Sequence, residues 1–248
     1  MLRIENLKKN FGGIKAVNGC SFKAEPKKIT ALVGPNGSGK TTIFNIISGI
    51  LKADSGEIFF CEKRISKLSP EKISNLGIAR LFQQPKLFSN LTVKENLLMV
   101  FDNNDTHFWE NVIGITKDNR EKEERVQDLL KSVGMQGFET QFARDLSYGQ
   151  KRLVEILRAL MKPHRLLMLD EPIAGVTPIL RKEMSNLFGG LRKKGDTILL
   201  IEHDMKFVFG IADEIIVMDK GVIIAEGNAK NMKNNPKVIE TYLGDQDA

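Results

Sequence analysis

What this chain has little of narrows it first. Of 248 residues only two are cysteine, Cys20 and Cys61, and both stand in apolar, strand-like stretches far from any CxxC spacing. That leaves no disulfide scaffold and no cysteine zinc site, and the expectation is two buried thiols in a reducing compartment. Long apolar runs are missing as well. The longest, such as Leu166-Leu-Met-Leu169, are a handful of residues, against the ~18 that a membrane helix requires. The start, Met1 to Lys9, lacks the apolar stretch of a secretory signal, so a cytoplasmic protein is expected. Charge of one sign is not in large excess either. Lys and Arg number 37 against 31 Asp and Glu, a net +6, which is a lean rather than the basic surplus of a dedicated nucleic-acid binder. No nucleic-acid partner is expected, and no internal repeat is visible.

What is present suffices for a core, since 42% of residues are hydrophobic and 27% charged. Short β-branched runs bounded by Gly, Asp and Pro recur at residues 29–33, 57–61, 165–169, 197–201, 214–218 and 222–225. Helical patterns separate most of them. Residues 41–50 space Ile43, Ile46, Ile47 and Ile50 on one face, and residues 150–161 do so with Leu153, Ile156, Leu157 and Leu160. This is the rhythm of an α/β domain. Residues 84–147 break it: Thr92-x-x-Glu95 is a capping box, and Val126, Leu129, Leu130 and Val133 stripe a further helix, so a helical insert is expected. Residues 102–117, polar and carrying Trp109, read as a loop. Residues 117–131 hold five basic and five acidic side chains, the pattern of a solvated helix face.

Gly34-Pro35-Asn36-Gly37-Ser38-Gly39-Lys40-Thr41 matches G-x-x-x-x-G-K-[ST] directly after one apolar run and directly before a helical pattern. The motif arises by chance in roughly one chain in a hundred of this length, before that context is required. Glycines let backbone N–H groups curl around phosphate oxygens, and a helix N-terminus adds partial positive charge. Lys40 then reaches the terminal phosphates and the Thr41 hydroxyl ligates magnesium. The run at 165–169 ends in Asp170-Glu171. Alone, two acids closing a strand are an ordinary turn; beside a phosphate loop, Asp170 suits magnesium and Glu171 an attacking water. His203 follows the run at 197–201, where a side chain faces the ligand edge of an α/β sheet. His107 and His164 lack such a placement and read as surface residues.

Between Lys40 and Asp170 lies Leu146-Ser147-Tyr148-Gly149-Gln150, opening a helix. Ser147 and Gly149 at that start form a second anion-binding end. With this segment the chain resembles the ATP-binding subunits of ABC transporters, whose signature is Leu-Ser-Gly-Gly-Gln. The resemblance covers essentially the whole chain and implies a P-loop ABC ATPase: a RecA-like parallel-sheet core, an N-terminal antiparallel β subdomain and an inserted helical subdomain. One cassette would then fill 1–248, with core and β subdomain at 1–83 and 165–248 and the insert with its signature at 84–164. It further implies that Phe11 stacks on adenine, that Gly34 to Thr42 hold the phosphates of ATP, and that Gln83 joins Thr41 and Asp170 at Mg2+. Lys40, Glu171 and His203 would carry hydrolysis, with His203 sensing the terminal phosphate. Ser147, Gly149 and Gln150 would close over the nucleotide of a second subunit, so that two ATPs lie between two chains.

Two departures point to a subfamily: Tyr148 replaces a signature glycine, and Thr177 stands where many members have an aspartate. Together with Glu171-Pro-Ile-Ala-Gly-Val-Thr-Pro178, Ile201-Glu-His-Asp-Met205, the 102–117 insertion and the ending from Pro236 to Gly244, they resemble the branched-chain amino-acid importer ATPases, the longer G-type subunit in particular. Such a likeness implies integral membrane permease partners at the inner face of the cell membrane, docking on residues 84–100 through Pro85, Leu87, Phe88 and Leu91. It also implies a second ATPase subunit, identical or a sister. Alternatives within reach are another transported substrate, urea or lipopolysaccharide, or a soluble ABC protein acting on ribosomes or DNA. A single ATPase unit without sustained heptads weighs against the last, and the lack of any Asn-Lys dipeptide weighs against a GTPase.

Overall fold

Alternation and its absence sort the strands in the computed structural model, which describes residues 1–81, 87–100 and 117–238. β1 (Leu2–Phe11) and β2 (Ile14–Ala24) bury Leu2, Ile4, Leu7, Val17, Cys20 and Phe22 on one side and form an antiparallel hairpin closed by Gly12-Gly13. β3 (Ile29–Val33) has no polar alternation and is buried at every position, as a strand covered on both faces must be. β4 (Ser55–Phe60) and β5 (Lys63–Arg64) extend the hairpin into a four-stranded antiparallel sheet of order β2-β1-β4-β5. β6 (Ile78–Leu81), β7 (Leu166–Asp170), β8 (Thr197–Ile201), β9 (Glu214–Asp219) and β10 (Val222–Asn228) join β3 in a second sheet of order β10-β9-β3-β8-β7-β6. β7, β8, β3 and β9 run parallel, and β10 closes the edge antiparallel.

α1 (Lys40–Ile47) buries Ile43, Phe44, Ile46 and Ile47 in the core that both sheets share. It stops three residues short of the sequence reading, because Gly49 turns left-handed at φ 73° and the Ser48 hydroxyl donates back to Phe44 O at 2.7 Å, which leaves Ile50 exposed. α2 (Pro70–Asn75) is capped by Ser69. α3 (Val93–Leu98) opens on the Thr92–Glu95 capping box, both of its hydrogen bonds present. α4 (Lys117–Ser132) buries Val126 and Leu130, and α5 (Tyr148–Met161) buries Leu153, Ile156, Leu157 and Leu160. α6 (Pro178–Lys194), α7 (Met205–Ile211) and α8 (Ala229–Met232) follow further along the chain.

The chain divides into two compact units, residues 1–80 with 164–172 and 188–248, and residues 81–163 with 173–187. The first holds both sheets; in the second, α3, α4 and α5 pack on one another. Two sequence readings are corrected. Cys61 is exposed, because it sits in the β4–β5 turn at φ 47°, and only Cys20 is buried. His164 is not a surface residue: its side chain is 8% exposed, with Nε2 3.6 Å from Asp196 Oδ1. Gln83, Pro85, His107 and Trp109 lie outside the described residues.

Candidate functional site

The loop after β3 needs its glycines for reasons of space. A Cβ on Gly34 would stand 2.0 Å from the Met218 carbonyl oxygen, and one on Gly39, at φ 103°, would stand 2.2 Å from that of Ala16. Two distant segments, the end of β9 and the start of β2, therefore press on the loop and set its path. Within it Ser38 N donates to Pro35 O at 3.2 Å, and Gly221 N donates to Ser38 O at 3.0 Å from the β9–β10 turn. Asn36, Gly37 and Thr41 are exposed, Pro35, Gly39 and Thr42 half-buried, and Ser38 and Lys40 buried. The Lys40 ammonium donates to Gly34 O at 2.8 Å, Pro35 O at 2.7 Å and Ser38 Oγ at 3.2 Å. Burial lowers its pKa, and the carboxylates of Glu171 and Asp170 pull it back up.

Strand register brings those carboxylates to the same edge. Ile201 pairs with Leu32 on one side and with Asp170 on the other, so β3, β8 and β7 end in one row. Glu171 N donates to Ile201 O at 3.0 Å, and Glu171 itself is left-handed at φ 46°. A non-glycine residue held there costs about 1–3 kcal/mol and stays so only where its surroundings fix it. His203, exposed, leaves the same row two residues beyond Ile201; its N–H donates to Glu202 Oε2 at 3.2 Å, and Asp204 caps α7 through Phe207 N. Phe11 lies across from Ile14 in the hairpin whose Ala16 touches Gly39, and it is 48% exposed. The Lys9 ammonium sits over its ring at 5.6 Å.

One participant escaped the sequence reading. Arg80, at the end of β6, pairs with Asp170 at 3.5 Å with side chains only 6% and 3% exposed. Its signal was a charged residue inside the apolar stretch Ile78–Leu81.

The second unit carries the segment Ser147 to Gln150. Ser147 caps α5, and its side chain accepts from Gln150 N while Gln150 Oε1 accepts from Ser147 N at 2.8 Å, a complete capping box. Gly149 is buried, and a Cβ there would stand 2.7 Å from Leu180 Cδ1, so a larger residue would push that side chain of α6 aside. Tyr148 is exposed, and its ring lies beside Gly175, where a Cβ would stand 3.2 Å away. Thr177 precedes α6, with its carbonyl accepting from Arg181 N; Thr-Pro at that start was the helix signal the periodicity reading passed over. In the same unit the fully buried Asn96 braces the loop before α3. It accepts from Phe88 N at 2.8 Å and donates to the carbonyls of Phe88, Leu91 and Thr92, which leaves the Phe88 ring 52% exposed.

The donor set suits magnesium. Asp170 offers a carboxylate and Thr41 a hydroxyl, hard oxygens of the kind Mg2+ prefers, and that ion takes its remaining ligands from phosphates and water. Among the described residues no cluster of three His, Cys, Asp or Glu side chains could hold a metal by itself.

Parallel sheet, glycine loop and paired acids at the strand ends define a P-loop nucleotide-binding ATPase. Residues 17–174 match the ABC transporter family, and the chain belongs to it. It is similar along its whole length to the probable branched-chain amino acid transport ATP-binding protein LivG of Archaeoglobus fulgidus, 42% identical over 100% of this chain and 97% of that one. The high-affinity branched-chain amino acid transport ATP-binding protein BraF of Pseudomonas aeruginosa is 38% identical over 99% and 98%. A solved ADP conformation of an ATP-binding cassette of an ABC transporter is 39% identical and superposes with a TM-score of 0.84, covering 98% of each chain.

Proposed function

We propose that this chain is the ATP-hydrolysing subunit of an importer of branched-chain amino acids, working as one of two cassettes beneath a separate membrane permease at the inner face of the cell membrane. The observation that carries this is the sheet edge at which the Lys40 loop after β3 and the acids Asp170 and Glu171 at the end of β7 flank β8. No helix among the described residues is long and apolar enough to cross a membrane.

In this reading the loop N–H groups from Gly34 to Thr42 and the Lys40 ammonium hold the phosphates of ATP, and Phe11 stacks on its adenine. Thr41, Asp170 and Gln83 would hold Mg2+, which neutralises charge on the β- and γ-phosphates. Glu171 orients a water and accepts its proton, and His203 contacts the terminal phosphate. Ser147, Gly149 and Gln150 present the start of α5 to the nucleotide of the second subunit. Phe88 and Leu87 form the apolar surface that grips the permease. Lys40→Ala tests the assignment: tight ATP binding or turnover is expected to be lost, because the loop's point charge is gone, and unchanged ATPase activity would refute it.

A further inference from the structure

We propose that Arg80 is a positioning residue for Asp170, holding its carboxylate at the strand end where it would serve the metal of bound ATP, an inference that rests on the ATP–magnesium reading above. The guanidinium is fixed from several sides. Its Nη2 lies 3.5 Å from Asp170 Oδ2, its Nη1 donates to Ser48 Oγ at 2.6 Å, and its carbon sits 5.7 Å from the centre of the Phe44 ring. Ser48 in turn donates to Phe44 O at 2.7 Å. One helix thus presents Lys40 and Thr41 at its start and, through Ser48 at its end, anchors the arginine that holds the acid across from them.

Burial at this depth is costly for a charge, and removing one partner of such a pair leaves the other uncompensated, which is why Ser48→Ala and Arg80→Lys stand beside the apolar variant below. Burial does lower the arginine's pKa, with Asp170 opposing it, yet guanidinium remains protonated where lysine would titrate. A buried cation fixed by a second partner orients the carboxylate beside it. Metal ligands are commonly held by such partners, whose loss costs about 10–100-fold in metal affinity or activity.

The test uses the full chain, with Mn2+ as probe by electron paramagnetic resonance in the presence of ATP and a fluorescent ATP analogue in EDTA for metal-free binding. Arg80→Met is expected to raise half-saturating Mn2+ about tenfold or more, with Ser48→Ala intermediate and Arg80→Lys recovering part of the loss. Half-saturating Mg2+ for ATP hydrolysis follows the same order, while analogue binding in EDTA stays within about twofold. Parent-level Mn2+ affinity in folded Arg80→Met and Ser48→Ala overturns the proposal. So does a parallel loss of metal-free analogue binding, which marks a role in the fold alone. Should Arg80→Met not fold, Ser48→Ala and Arg80→Lys decide by the same readouts. Failure of the parent itself to bind the analogue would instead count against the ATP reading.

Discussion

Replacing Phe11 by alanine isolates binding from chemistry. The side chain has about 200 Å2 of surface and is 48% exposed, so about 100 Å2 is open to a ligand. A purine covers one ring face, about half of that, because Lys9 already sits over the ring. At about 25 cal/mol per Å2 the stacked area contributes about 1.2 kcal/mol, roughly an eightfold rise in KM for ATP when it is removed. Stacking is the same in ground and transition states, so kcat at saturation is expected to stay within about twofold. The half-exposed ring carries little of the fold, and the melting temperature is expected to move by no more than a few degrees. Steady-state ATPase kinetics with a parallel thermal melt measure both. A fall in kcat at saturating ATP, or a melting point lowered as a core deletion lowers it, would refute the placement of the ring at the nucleotide. Because stacking reads no base edge, GTP is expected to suffer the same loss as ATP.

Glu171→Gln keeps the shape of the side chain and removes its proton acceptor, so hydrolysis is expected to fall at least a hundredfold, about the contribution of a general base, with ATP still bound. ATP should then prolong a dimer on a sizing column, and a persistent ATP-bound monomer counts against the two-cassette arrangement. Phe88→Asp adds a charge to an exposed ring whose backbone is held by Asn96, so the protein is expected to fold and bind ATP yet lose its recovery with permease-containing membranes; wild-type recovery rules out this surface for docking. Burial pushes the Cys20 thiol up to about 11, whereas Cys61 is exposed. Iodoacetamide at pH 8 is therefore expected to place one adduct, on Cys61, by mass spectrometry of the native protein, and a second only in denaturant; Cys20 labelling without denaturant would show that the β1–β2 sheet opens readily.

Much of the site was legible because it is written in local order. The phosphate loop, the acids at 170 and 171, the capping box at Thr92 and the segment opening α5 are each contiguous, and contiguous backbone chemistry follows from residue type. The strands at 29–33 and 197–201 were placed to the residue, since apolar runs between turn residues have few other uses. The long N-terminal strands escaped the periodicity reading, because β1 and β2 carry bulges that shift their alternation. α6 escaped it because Gly189 and Gly190 interrupt its apolar face.

The sequence by itself marked the loop from Gly34 to Thr41 as the candidate phosphate site, because a glycine loop between a strand and a helix offers its N–H groups to an anion wherever the strand lies. Only the tertiary structure decided what stands around that loop. Gly34 is required by the Met218 carbonyl and Gly39 by that of Ala16, Asp170 is held by Arg80, Phe11 is open, and the two cysteines part company. Each of these depends on segments far apart in the chain arriving at the same place, and close packing, rather than any local preference, sets which atoms meet there.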